Sequence, residues 1–305
     1  SNFTPFIPPS QPASTVEGSS AVTGVMTQPL WQFATGMTPS VYGVPGILSG
    51  AALVFFAFIG FDVVATASEE TKNPHKNVPL GIGVGMLLII VMYMLVAVVT
   101  TGMVSYADLA KQDSPSLATA FELVGADWAA KIISFGIVLG LATVVMVLLL
   151  GLTRIVFAMS RDGLLPRGLS KTGKHGTPAA LQIVVGAVVA LVAAFFDIGV
   201  LSDMVNIGTL SAFTLVAISI PIMRKKRPDL PRAFKMPGSP WIPILIAVAN
   251  FWLMLNLSVL TWIRFVVWLV VGFAIYFGYG YWHARLGKGD LTETLSAETD
   301  KAVNG

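Results

Sequence analysis

The sequence predicts an all-α, polytopic membrane protein of seven transmembrane helices, the first of them discontinuous, and three observations carry that reading. Apolar residues make up 55% of the chain and charged ones only 11%, and the mean hydropathy is +0.77, outside the range of soluble domains. Seven stretches are apolar and almost free of charge, each close to the roughly 20 residues that carry a helix across a hydrocarbon core. These stretches are rich in Val, Ile, Leu, Met and Ala and lack the alternating polar residues of a barrel strand, so helices satisfy the backbone in lipid better than a closed sheet would.

Residues 1–45 are rich in Pro, Ser, Thr and Gly and contain no Lys or Arg. With no charged leader before an apolar run and no cleavage site, they read as a long extracellular loop and not as a signal peptide. Asn2-Phe3-Thr4 within it has the form of a glycosylation acceptor. The spans follow at 46–68, 79–103, 132–153, 178–196, 204–223, 241–260 and 265–282, and residues 285–305 form a polar tail. Between the second and third spans, Ser114-Pro115-Ser116 before LATAFELVG predicts a short surface helix with proline in its first turn. Gly81 with Gly85, and Gly136 with Gly140, have the small-residue spacing that lets helices approach closely. In the fifth span, Asn206, Thr209 and Ser211 either face a cavity or hydrogen bond across helices.

Orientation follows from Lys and Arg, which retained cytoplasmic loops carry in excess. Of the basic residues, all but Lys111, Lys131 and Arg264 fall in the segment after the first span, the loops after the third and fifth, and the tail. The amino terminus is therefore expected outside and the carboxyl terminus in the cytoplasm. The net charge of +3 is a topology signal, because the basic residues are dispersed among short loops and form no nucleic-acid surface.

The first span, GILSGAALVFFAFIGFDVVATAS, carries a lone carboxylate, Asp62. An acid at mid-membrane costs roughly 2.5 to 3.5 kcal/mol on insertion scales, and such groups tend to face a cavity or a partner and mark a pathway. Gly50, Gly60 and the run from Phe55 to Asp62 invite a break, since Gly weakens helix interiors and Asp favours a helix start. Half-helices meeting at mid-membrane are how transporters expose carbonyls and amides to a substrate. A second reading stays open on spacing alone: Gly60 allows close packing, and Asp62 caps the lower half-helix with its charge eased by the dipole.

Enzyme signatures are absent: the chain has no GxSxG, HExxH or P-loop, and His75, His175 and His283 lie in loops or the tail. Without cysteine, disulfides and thiolate metal sites are excluded, and no metal or cofactor is expected.

The stretch FFAFIGFDVVATASEETKNPHKNVPLGI resembles the sixth span and following loop of the amino acid permeases in the amino acid, polyamine and organocation (APC) transporter superfamily, the cationic amino acid transporter branch in particular. GLTRIVFAMSRDGLLP at 151–166 resembles the inner end of that family's eighth span, and IPIMRKKRPDLPRAFKMPG at 220–238 its loop after the tenth. Three blocks in the right order make the resemblance specific from about residue 2 to 285. It implies a portion, spans six to twelve, of an inverted-repeat transporter fold, with the first five spans of the same transporter completing the pocket. It implies a secondary active transporter of cationic or small neutral amino acids in the plasma membrane, working by alternating access and coupled to protons. Residue by residue, it implies an aromatic gate at Phe56 and unwound backbone at Ala57, Phe58, Ile59 and Gly60 that accepts hydrogen bonds from the substrate ammonium. Asp62 would balance substrate charge or take part in proton coupling, and Met146 would reach the side-chain end of the pocket. Packing among Leu53, Phe55 and Phe58 is the alternative role for Phe56, and core filling the alternative for Met146. Glu69 and Glu70 could form a cytoplasmic gate with Arg154 or Arg161. A complete seven-helix receptor has the same topology and is the rival reading. It is weakened by the lack of a Lys in 265–282 for a retinal Schiff base and of a cysteine pair for the outer loops.

Overall fold

The structure, a computed structural model, describes residues 7, 9–12, 24–61, 63–66, 71–112, 115–170, 178–228 and 238–284. These residues are helical almost throughout. Asp62, Glu69, Glu70, the Asn2 triplet and the 285–305 tail lie outside the described residues.

In chain order come β1 (Gln11–Pro12), α1 (Leu30–Thr35), β2 (Ser40–Val41), α2 (Gly43–Val54), a 3-10 turn over Phe55–Phe58, α3 (Val63–Thr66), α4 (Pro74–Met103), α5 (Tyr106–Ala110) and α6 (Leu117–Leu123). After them come α7 (Asp127–Arg161), a 3-10 turn over Arg167–Ser170, α8 (Ala179–Phe195), α9 (Ile198–Lys226), α10 (Trp241–Leu255), α11 (Val259–Ile275), a π turn over Tyr276–Gly280 and α12 (Tyr281–His283). Five helical stretches are long and apolar enough to cross a membrane: Gly43–Ala65, read through its break, Lys76–Met103, Asp127–Arg161, Ile198–Lys226 and Val259–His283. The other two apolar helices, α8 and α10, are shorter, at 17 and 15 residues.

Several boundaries depart from those read off apolar runs, and each departure has a local cause. The helix expected at 132–153 runs Asp127–Arg161, because charges do not stop a helix. Here they favour it, with Asp127 in the first turn and Arg161 in the last, matching the helix dipole. The sixth span was expected to reach 260, yet α10 ends at Leu255 and α11 starts at Val259. The turn is built by polar groups hidden in the apolar run: Asn256 Nδ2 donates to Trp252 O at 2.8 Å, and Ser258 Oγ accepts from Thr261 N at 3.2 Å. The short helix α6 begins after Ser116, whose hydroxyl accepts from Thr119 N at 3.1 Å, so Pro115 precedes the cap instead of sitting in the first turn. The stretch 1–45 also contains α1, which follows Pro29 and closes on left-handed Gly36, φ 68°.

Two compact units divide the chain. The first takes residues 1–143 and 198–265. Its core joins the end of α2 to α9 and to the α10–α11 turn, through Ala52, Ile207, Leu210, Met254 and Leu257, with Phe55 and Trp262 packed against them. Inside a bilayer such packing is held by van der Waals contact more than by transfer from water. At one end of this unit, α1 lies on the α10–α11 turn. Leu30 N donates to Leu257 O at 3.0 Å and Val259 N to Gln28 O at 3.1 Å, Trp31 Nε1 donates to Asn256 Oδ1 at 3.0 Å, and Trp31 stacks on Trp252 at 6.4 Å.

The second unit takes residues 144–197 and 266–305. Buried Ser160 donates to Pro166 O at 2.7 Å, folding the segment after α7 back on the helix. Gly163 has φ 84°, and a Cβ there would run into the carbonyl oxygen of His283, so glycine in RDGLLP is required twice, by conformation and by close approach. The glycines expected to bring helices together behave differently. A Cβ at Gly81, Gly85, Gly136 or Gly140 would meet nothing within 4 Å, and no close helix approach is made at them among the described residues.

Candidate functional site

The site grows out of one local conflict. Residues 43–54 wind as a helix from a first turn containing Pro45, where the missing amide is no loss. Three aromatics, an isoleucine and a glycine then follow in FFAFIG, none a strong helix former apart from Ala57. Winding tightens to 3-10 over Phe55–Phe58, Ile59 becomes extended at φ −65° and ψ 138°, and Gly60 takes φ 116°, a conformation L side chains rarely adopt. The second half-helix then starts from Gly60, whose carbonyl receives Val63 N at 3.1 Å.

The break leaves peptide groups without their usual partners. Ile59 N reaches Phe56 O at 3.2 Å. Among the described residues no backbone amide is paired with the carbonyls of Phe58 and Ile59. The carbonyl of Ala57 is met from across the fold by the hydroxyl of Tyr93 on α4, which donates to it at 3.0 Å.

Phenylalanines hold the interrupted segment in place. Phe58 stands edge-on to Tyr93 at 5.1 Å, while Phe55 and Phe61 contact Phe213 of α9 at 6.2 and 5.4 Å, distances at which aromatic pairs attract. Residues 55, 58 and 61 thus form one pinned face. Behind it lies a cavity of about 520 Å³, walled by these rings, by Met86 and Ile90 of α4, and by apolar side chains of α9 and α10 with Asn250 as the polar exception. The opposite face carries Phe56, 43% exposed, and exposed Ala57.

The structure therefore gathers Phe56, Ala57, Phe58, Ile59 and Gly60 at the break in the first unit. Met146 is an exposed residue of α7 in the second unit, 64% accessible. Of the three polar residues singled out in the fifth span, Asn206 is fully buried and crosses to Leu53 O at 3.4 Å, whereas Ser211 turns back to Gly208 O of its own helix at 2.7 Å. Arg161 pairs with its neighbour Asp162 at 3.6 Å, both half exposed. Sequence reasoning passed over Tyr93 and the pinned face. The signals were there: Tyr93 is the one polar side chain between Asn77 and Thr100 of a long apolar helix, and Phe55, Phe58 and Phe61 recur every three residues. Among the described residues no group of His, Asp or Glu could hold a metal ion.

Comparison with known proteins adds the following. Residues 6–281 match the family model described as amino acid permease. The branched-chain amino acid permease BcaP of Bacillus subtilis is 47% identical over 247 residues, which is 81% of this chain and 53% of that protein. The methylthioribose transporter of Bacillus subtilis is 43% identical over 248 residues, again 81% of this chain and 53% of that protein. The mitochondrial cationic amino acid transporter 3 of Arabidopsis thaliana is 45% identical over 195 residues, 64% of this chain and 31% of that protein. The chain thus spans about half the length, or less, of these relatives.

Proposed function

Because this chain belongs to the amino acid permease family, we propose that it is the spans-six-to-twelve portion of a secondary active transporter that carries cationic or small neutral amino acids by alternating access, coupled to protons. Family membership leaves the seven-helix receptor without support. The observation that carries the proposal is the interrupted helix, with Ile59 extended and Gly60 at φ 116°. A zwitterion entering a bilayer must exchange its hydration for other polar partners, and the carbonyls of a broken helix supply acceptors for an ammonium without placing a charge in the membrane.

In this reading the carbonyls from Ala57 to Gly60 receive the substrate ammonium, and Phe56, on the exposed face, closes over it as the aromatic gate. Asp62, two residues past the break, balances charge on the substrate or carries the coupling proton. Met146 touches the substrate side chain. The remaining spans of the same transporter supply the other wall, including the partner for the substrate carboxylate. The amino terminus lies outside the plasma membrane and the carboxyl terminus in the cytoplasm, as the bias of Lys and Arg supports. The names of two of the relatives, a branched-chain permease and a cationic transporter, fit a pocket whose ammonium site is shared and whose side-chain end varies, while methylthioribose, for which the third is named, carries no ammonium.

The test is uptake of labelled amino acids by the full-length transporter in liposomes, with and without an inward-directed proton gradient. Accumulation of a cationic or small neutral amino acid, raised by the gradient, is the expected result. Failure to take up any amino acid overturns the function, and uptake indifferent to the gradient overturns the coupling.

A further inference from the structure

We propose that Asp203 of α9 is the carboxylate that binds the coupling proton. The inference rests on the transport reading above and sharpens it, leaving Asp62 to balance charge on the substrate.

Asp203 lies half-buried in the second turn of α9, a helix long and apolar enough to cross the membrane. An acid so placed is costly, and it is kept where it has a partner and a task. Its partner comes from another helix: Thr261 Oγ1, fully buried in the first turn of α11, donates to Asp203 Oδ2 at 3.0 Å. Behind Thr261 stands Ser258, its Oγ 2.7 Å from Thr261 Oγ1. Capping does not call for the acid, because Ser258 already accepts the amide of Thr261 at 3.2 Å and closes the start of α11.

The identity of the partner decides what the acid can do. A lysine or arginine at hydrogen-bond distance would hold the carboxylate ionised, since neither can accept a hydrogen bond. A hydroxyl serves both forms. With Asp203 ionised, Ser258 donates to Thr261 and Thr261 to the carboxylate; with Asp203 protonated, the carboxyl donates to Thr261 and Thr261 to Ser258, and no oxygen has to move. The elements that pack on α9 here, α2, α10 and the start of α11, bring one ionisable side chain, half-buried Arg264, whose charge reaches Asp203 through space. Asp197 precedes α9, and α1, seated on the α10–α11 turn, has no ionisable side chain.

By the bias of Lys and Arg, α9 enters from the outer face, so its second turn lies toward the outer water. The proton comes from that water, forms an O–H bond on the carboxylate, and returns to water on the inner side once the carrier has turned; nothing else is consumed. One turn further along α9, Ile207 and Leu210 pack with Ala52 and Phe55 at the end of the first half-helix. A change of charge at Asp203 therefore acts on the helix against which the broken span is packed.

The experiment uses the full-length transporter in liposomes, with Asp203→Asn, which still accepts from Thr261 but binds no proton, and with Thr261→Val and Thr261→Ser, which remove and keep the hydroxyl. Three quantities are read: uptake with an inward-directed proton gradient relative to uptake without it, exchange of labelled for unlabelled amino acid at equal pH, and the pH midpoint of uptake between pH 5 and 8. In Asp203→Asn the gradient ratio should fall to about one while exchange persists within about fivefold of wild type. Thr261→Val should move the midpoint by about one unit, and Thr261→Ser should hold it. A gradient ratio in Asp203→Asn as large as that of wild type, exchange lost together with the ratio, equal midpoint shifts in both Thr261 variants, or a wild type indifferent to the gradient overturns the proposal. Should Asp203→Asn fail to reach the membrane, Thr261→Val decides by itself, and an unmoved midpoint overturns it. If wild type carries no amino acid, the transport reading fails separately, and the infrared absorption of protonated carboxyl groups decides for Asp203: acidification from pH 8 to 5 should raise it more in wild type than in Asp203→Asn, and an equal rise overturns the proton site.

Discussion

Replacing Gly60 by alanine tests the break more directly than any other single change. The residue sits at φ 116°, where an added Cβ crowds its own carbonyls, and holding a non-glycine residue there costs about 1 to 3 kcal/mol. The chain can keep the conformation and bear that strain, or rotate to negative φ. Rotation gives up the bond from Val63 N to Gly60 O, about 0.5 to 1.5 kcal/mol, and redirects the Ile59 peptide. Either way the loss falls on the state in which carbonyls face the substrate. If all of it appears in binding, KM rises by about 2- to 150-fold. Gly50→Ala is the matched control: it lies in the same helix, a Cβ there meets nothing within 4 Å, and its φ is not positive. Alanine at that position should leave KM unchanged and raise stability by about 0.5 to 1 kcal/mol. The assay is initial-rate uptake against substrate concentration in liposomes containing the full-length transporter, with a thermal melt of each purified variant. A Gly60→Ala protein whose KM stays within twofold of wild type, and which melts no lower than Gly50→Ala, would refute the reasoning: the segment would then tolerate a side chain because its interruption is not what binds.

Three further outcomes follow from named contacts. Tyr93→Phe keeps the ring against Phe58 and removes the hydroxyl that donates to Ala57 O at 3.0 Å; a loss of about 1 kcal/mol should raise KM about fivefold, and an unchanged KM would show that carbonyl to be held by other means. Asp62→Asn should lower the uptake rate at least severalfold; an unchanged rate leaves the acid only a capping role. Trp31→Phe retains an aromatic ring near Trp252 but loses the 3.0 Å bond to Asn256, so the melting transition should fall by the equivalent of about 1 kcal/mol, and a melt identical to wild type would show that α1 adds nothing to the stability of the α10–α11 turn.

Where the helix would break was legible in FFAFIGF, because propensity is a local property: aromatic and β-branched side chains lose rotamer freedom in a helix and glycine alone tolerates φ 116°. The turn at Asn256–Ser258 was just as local but was masked by apolar neighbours, since a hydropathy average over a window dilutes two polar residues whose side chains close the turn. At Gly81, Gly85, Gly136 and Gly140 the described residues bring no helix close. Small-residue spacing permits close approach, and permission does not supply a neighbour: among the described residues a Cβ at each of them meets nothing within 4 Å.

By itself, then, the sequence determined the class, an all-helical chain for a bilayer, and the place where one helix comes apart, because bilayer length, apolar content and backbone propensity are all set by residues near one another in the chain. Only the tertiary structure decided which polar groups meet across the fold. Tyr93 reaches Ala57 across 36 positions, Asn206 reaches Leu53 across 153, and Trp31 reaches Asn256 across 225. A hydroxyl or carboxamide is the same residue type whether it bonds its own helix, as Ser211 does, or a distant one, as Asn206 does; the difference lies in which helices pack together, and no local pattern encodes that.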